Sequence, residues 1–142
     1  MKDVAKIYSD RCLGLRLNRI ERFVSRWFDR ELGKAGLNIH QLSLLSAIAR
    51  MPGATPGRIS QTLDLEKSSL SRNLEVLERE SWIHPRRGPS GRILHVSLSR
   101  SGQKVLEKAY PHWERVQRRL ESLFDRETLN SIEKGIAEQR VP

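Results

Sequence analysis

The sequence predicts a mainly α-helical fold with one small β-wing. Three observations carry that prediction. Residues 66–80, EKSSLSRNLEVLERE, place Leu70, Leu74 and Leu77 on one helical face and Ser68, Arg72, Glu75 and Arg79 on the other, flanked by Ser69 and Ser71. A short helical segment and a tight turn precede this stretch, and a basic loop rich in Gly and Pro follows it. Long amphipathic helices stand on both sides of the whole unit. Helix, turn, helix and basic ribbon in that order are what a winged helix-turn-helix looks like.

Each element has its own local reason. Residues 1–10 are a polar lead-in or the start of the first helix. Over residues 12–34, Leu13, Leu17, Ile20, Val24, Trp27, Phe28 and Leu32 recur at helical spacing, and Arg16, Arg19, Arg22, Arg26 and Arg30 occupy the other sides. Gly33 and Gly36 end that helix, because glycine tolerates the left-handed conformation at a helix stop. Asn38 is an N-cap for the next helix, residues 39–51, with Leu42, Leu45, Ile48 and Ala49 as its buried face. Pro52-Gly53 terminates it. Thr55 then caps a short helix with Pro56 at its first position, where the missing N–H costs nothing, and Ile59 and Leu63 point inward. Residues 64–66 turn the chain into the central stretch, whose own cap, Glu66, is mediocre but complements the positive helix end.

After Glu80 the pattern becomes extended. Residues 82–84 form a short strand ended by Pro85, residues 86–92 a basic turn-rich loop, and residues 93–98 the returning strand with Leu94, Val96 and Leu98 on one side. Ser99 caps a second long helix along which Val105, Leu106, Ala109, Trp113, Val116, Leu120 and Leu123 keep a three-four spacing. Pro111 is expected to kink or split it, since proline removes the bond to the Glu107 carbonyl. Asp125 caps a last helix with Leu129, Ile132 and Ile136 inward, and the final three residues are expected to fray.

The chain has 142 residues, enough for one domain with a real core. Its formal net charge is +9, which points to a polyanion. Arg86, Arg87 and Arg92 lie beside the central helix, which favours nucleic acid over an acidic membrane surface. Hydroxyls and an arginine on leading helical turns suit base edges and phosphates in a major groove. A single cysteine precludes an internal disulfide and is compatible with a reducing cytoplasm. The first residues lack the apolar core of a signal peptide, and no apolar run reaches the ~20 residues that span a bilayer. A soluble, cytoplasmic protein is expected. The histidines, His40, His84, His95 and His112, form no ligand pair or Cys/His cluster, so no metal is expected. Neither a Gly-rich phosphate loop nor a nucleophile elbow is visible, so no enzyme and no cofactor are expected.

The apolar stripes of the two end helices are too extensive for a small winged helix to cover. A symmetric dimer would cover them.

Taken in order, AGLNIHQLSLLSAIAR, ISQTLDLEKSSLSRNLEVLERESWI and GPSGRILHVSLSRSGQKVL resemble the second helix, the helix-turn-helix and the wing of MarR-type transcriptional regulators. The resemblance runs from about residue 12 to residue 123. It implies a single MarR-type domain over 1–142, with a winged helix-turn-helix at about 38–99 and dimerisation helices at 1–35 and 100–142. It also implies a homodimer that binds pseudo-palindromic double-stranded DNA, usually as a repressor released by a small-molecule effector or an oxidant. Residue by residue, Ser68, Ser69, Ser71 and Arg72 match the DNA-contacting positions of the recognition helix, Lys67 lies at the same helix start, and Arg92 matches the wing arginine of the minor groove. The chain departs from the pattern just before Arg92, where Ser90 and Gly91 replace an Asp that often fixes the wing and a further Arg. A looser tip, or one braced by Arg86 and Arg87, is expected there.

Cys12 follows Arg11 near the start of a helix, a setting that favours thiolate. It is a candidate oxidant sensor; the plainer reading is a small cysteine buried in the dimer interface. The alternative function is a winged-helix adaptor that binds protein and not specific DNA, because a fold does not by itself fix a function.

Overall fold

The structure is a computed structural model and describes residues 3–139. The expected fraying of Arg140, Val141 and Pro142 lies outside the described residues. The chain begins with helix α1, Val4–Arg11, whose N-cap Asp3 accepts the Lys6 N–H at 3.1 Å. Helix α2, Leu13–Leu32, is separated from it by Cys12 in an extended conformation, ψ 112°. The lead-in is thus a helix of its own, and the break comes at Cys12 alone.

A short 3₁₀ turn, Gly33–Ala35, and Gly36 at φ +88° reverse the chain. Helix α3, Ile39–Arg50, starts in a full capping box: Asn38 Oδ1 accepts the Gln41 N–H at 2.8 Å and Gln41 Oε1 accepts the Asn38 N–H at 2.9 Å. Asp29 Oδ1 on α2 accepts the Ile39 N–H at 2.8 Å and fixes the angle between the two helices. The buried face of α3 is Leu44, Leu45, Ala47 and Ile48. Ala49 is exposed and Leu42 half-buried, because the core meets α3 on a stripe rotated from the expected one.

Helix α4, Pro56–Leu63, has the expected cap, with Thr55 Oγ1 accepting the Arg58 N–H at 3.2 Å. It ends at Asp64 in the left-handed region, φ 52°. The Leu65 N–H returns to the Ser60 carbonyl at 2.9 Å, and Ser60 Oγ donates to the Leu65 carbonyl at 2.5 Å. That closed turn launches α5, Lys67–Arg79, whose cap Glu66 makes no side-chain bond. Leu70, Leu74 and Leu77 are buried, as their spacing requires.

Strand β1, Ile83–Arg87, pairs antiparallel with β2, Ile93–Leu98. Pro85 does not end β1: the strand lies at the edge of its sheet, where a missing N–H breaks no ladder. Arg86 and Arg87 therefore sit in the strand and not in the loop. The base of the wing gains a third partner, because the Val96 N–H donates to the Ala54 carbonyl at 3.0 Å. The register slips between Arg86 and Arg87, so that Leu94 is the extra residue of a bulge. Leu94 is exposed, contrary to its expected inward place, and leans over Gly88.

Helix α6, Arg100–Glu121, runs continuously through Pro111. The expected split does not occur, because Ala109, Val116 and Leu120 bury on either side of an exposed proline and hold both halves to the core. Glu31 on α2 accepts from Lys34 Nζ at 2.7 Å and from Arg115 Nη1 on α6 at 2.8 Å. The Lys34 hydrogen bond, aided by the charges of Lys34 and Arg115, holds the Glu31 carboxyl below its ordinary value against a smaller opposing cost of burial. One core joins Phe28 and Leu32 of α2 with the leucines of α3 and α5, Ile83, Val96 and the inner face of α6.

Helix α7, Arg126–Glu138, is capped by Asp125, which accepts the Thr128 N–H at 2.9 Å. Leu129, Ile132 and Ile136 do not point into the protomer: they are exposed, as are Leu13, Leu17 and Ile20 of α2. Leu17, Ile20 and Leu129 line one open apolar cleft with Val24, Phe28, Leu120 and Phe124, and Leu13, Ile132 and Ile136 lie exposed beyond it.

Candidate nucleic-acid interface

Helix α5 owes its position to two constraints already described. Its three leucines fix its rotation, and the closed Ser60–Leu65 turn fixes its start. Lys67, Ser68, Ser71 and Arg72 consequently face outward and are exposed, while Ser69 is half-buried. The Ser69 carbonyl accepts from Asn73 Nδ2 at 2.9 Å, and Arg72 Nε makes a long 3.4 Å bond back to the Ser68 carbonyl. Ser69 borders a separate cleft of about 470 Å³ beside His40, so it stands at the margin of the outward face.

Beside α5 stands the wing. A cleft of about 500 Å³ separates them, lined by Lys67, Ser71 and Glu75 on the helix side and by Arg87, Ser90 and Arg92 on the wing side. The fold thus brings Lys67, Ser71, Arg87 and Arg92 to one concavity. Ser68 and Arg72 lie outside that concavity on the exposed face of α5, and Arg86 projects from β1 opposite His95. Among the described residues, Lys67, Arg72, Arg86 and Arg92 pair with no carboxylate. Unpaired cations beside hydroxyls are what phosphate and base-edge contacts require.

Arg87 is different. Its guanidinium pairs with Glu78 in the last turn of α5 and donates from Nη1 to the Gly91 carbonyl at 2.8 Å. Of the two wing arginines expected as braces, Arg87 makes these contacts and Arg86 does not. Glu78 was not visible as a site residue from its spacing. Its signal was electrostatic: an acid in the last turn of a helix opposes the helix dipole and calls for a cation nearby.

Cys12 is exposed in the protomer and lies far along the sequence from this face, at the α1–α2 junction. Its Sγ would stand 3.8 Å from a β-carbon placed at Gly14. No cluster of three or more metal-ligating side chains occurs among the described residues. No helix among them is long and apolar enough to cross a membrane.

Residues 35–92, which span α3, the helix-turn-helix and the wing up to Arg92, match the model of the MarR family. An uncharacterized HTH-type transcriptional regulator of Bacillus subtilis, YwoH, is 26% identical over 101 residues, covering 71% of this chain and 74% of that protein. The M. tuberculosis transcriptional regulator MOSR in complex with DNA superposes with a TM-score of 0.77 at 25% identity, covering 92% of this chain and 100% of the other. A cysteine-to-serine mutant of MarR from E. coli, complexed with operator DNA, shares the fold with a TM-score of 0.77 at 17% identity, covering 95% and 98%. The matched residues coincide with the module that carries the outward face of α5 and its adjoining wing, and over that module the chain is similar to winged helix-turn-helix proteins of the MarR family.

Proposed function

We propose that this chain is a sequence-specific DNA-binding transcriptional regulator. The observation that carries the proposal is the juxtaposition of α5 and the wing. Unpaired Lys67 and Arg72 sit on the leading turns of α5, and unpaired Arg92 sits at the wing tip across the cleft. In this reading α5 enters the major groove, with Ser68, Ser69, Ser71 and Arg72 at base edges and phosphates, and Arg92 reaches the flanking minor groove. Arg86 adds a backbone contact. The similar M. tuberculosis protein was captured with DNA, which supports the same partner here.

The working unit is a homodimer. The exposed apolar residues of α2 and α7 support this, since a two-fold partner would cover both faces with one repeated contact. Two recognition helices would then meet half-sites about one helical turn, ~34 Å, apart on a pseudo-palindromic operator. The protein acts in the cytoplasm as a repressor, and an effector releases it. An apolar cleft of about 580 Å³ between α2, α6 and α7 supports a small-molecule effector, and the exposure of Cys12 supports an oxidant.

Selection of duplexes from a random library by the purified protein, with and without peroxide, tests this. Enrichment of a two-fold symmetric sequence is expected. A flat enrichment profile, with weak binding insensitive to salt, would instead favour a protein-binding adaptor.

A further inference from the structure

Arg87 stands among the cations of the cleft, yet its charge is already compensated by Glu78. Its second contact is to the wing tip. There the Gly91 N–H donates to the Gly88 carbonyl at 2.9 Å, and the Gly88 N–H donates to the Arg92 carbonyl at 2.9 Å. Gly91 itself is left-handed, φ +77°, a conformation most residues resist. The tip is therefore a tight turn whose only anchorage to the helix, among the described residues, runs through one guanidinium. One end of that guanidinium is held by the last turn of α5. The other holds the carbonyl of the residue immediately before Arg92.

We propose that Glu78 and Arg87 are positioning residues for DNA binding: Glu78 anchors Arg87 to the recognition helix, and Arg87 fixes the Gly91 carbonyl, so that Arg92 is carried at a set distance from α5. This rests on the DNA-binding reading above. Arg87 is then not a phosphate contact. Its task is to make helix and wing one rigid reading head, and the wing arrives at the minor groove already ordered. The bulge at Leu94 contributes by twisting β2 where Arg87 leaves β1.

The proposal has a consequence that simple electrostatics opposes. Removing a negative charge from a DNA-facing surface ordinarily tightens binding. Here Glu78→Gln should weaken it. With the duplex that wild-type protein selects from a random library, the brace predicts about threefold to fivefold weaker binding by Glu78→Gln, in keeping with a partly exposed ion pair. Arg87→Ala should weaken binding as well, and Glu78→Gln added to Arg87→Ala should change nothing further. In the free protein, both single variants should exchange the Gly88 and Gly91 amide hydrogens faster than wild type while the amides of α3 are unchanged. Unaltered exchange at Gly91 in Glu78→Gln, or binding as tight as or tighter than wild type, would overturn the proposal. If wild-type protein enriches no duplex at all, the DNA-binding reading fails and the positioning proposal falls with it. If wild type binds and Glu78→Gln is unaffected, only the proposal fails.

Discussion

Gly102, in the first turn of α6, lies so close to the Trp82 carbonyl that a β-carbon built on it would stand 2.1 Å from the oxygen. Beside this contact, Ser99 Oγ donates to the Ser81 carbonyl at 2.7 Å and accepts the Gly102 N–H at 2.9 Å. Ser81 is itself left-handed, φ 60°. The end of α5 is thereby clamped to the start of the long helix α6. Gly102→Ala should cost about 1–3 kcal/mol or more, because the opposing atom is backbone and cannot swing away. A denaturant midpoint unchanged from wild type would contradict this packing.

The exposed face of α7 gives a second expectation. Ile132 is 47% exposed in the protomer and flanked by exposed Leu129 and Ile136. Ile132→Asp would place a charge in the middle of the proposed dimer contact without disturbing the protomer core. Light scattering should report a shift from dimer to monomer with circular dichroism unchanged. A wild-type protein that is already monomeric would remove the argument for this interface.

Much of the reading module was legible in the sequence, and the reason is local. Leu70, Leu74 and Leu77 declare a helical face by period alone, and Thr55-Pro56 and Asn38 declare helix starts by chemistry confined to four residues. What is not legible there depends on meetings between elements. The pairing of Arg87 with Glu78 joins residues of different elements, and nothing in the spacing of either predicts it. Pro111 looked like a break because its local cost is real; burial of Val116 and Leu120 outweighs it. Leu129, Ile132 and Ile136 announced an apolar face correctly, but a stripe does not say whether its cover comes from its own chain. Period alone cannot tell an edge strand from a central one, so Pro85 reads locally as a strand end.

Glu31 supplies a pH dependence. Its carboxyl is held below the ordinary 4.5, first by the Lys34 hydrogen bond and further by Lys34 and Arg115 charge. A depressed folded-state value means the folded form favours the carboxylate. The resulting stabilisation is present in full above the unfolded value and is lost as pH falls below it through the lowered one. Glu31→Gln should therefore lose stability relative to wild type at neutral pH, and the difference should shrink on acidification below about pH 4.5. His112 Nδ1 lies 3.8 Å from the same carboxylate, so thermal melts across the pH range should be run in parallel on His112→Gln. Parallel stability–pH curves for wild type and Glu31→Gln would refute the assignment.

The central claim is that the outward face of α5 reads DNA, and Arg72 is its most exposed commitment. Arg72 is unpaired, sits on the second turn of the helix, and is tied only by a 3.4 Å bond to the Ser68 carbonyl, so its removal leaves the core intact. The direct measurement is a titration of the selected duplex with wild type and Arg72→Ala at fixed salt, with dimer mass checked for both. The account predicts a loss of about 1–3 kcal/mol in specific binding, about fivefold to 150-fold in Kd, with the oligomeric state unchanged. Equal affinity of the two proteins for that duplex would contradict it.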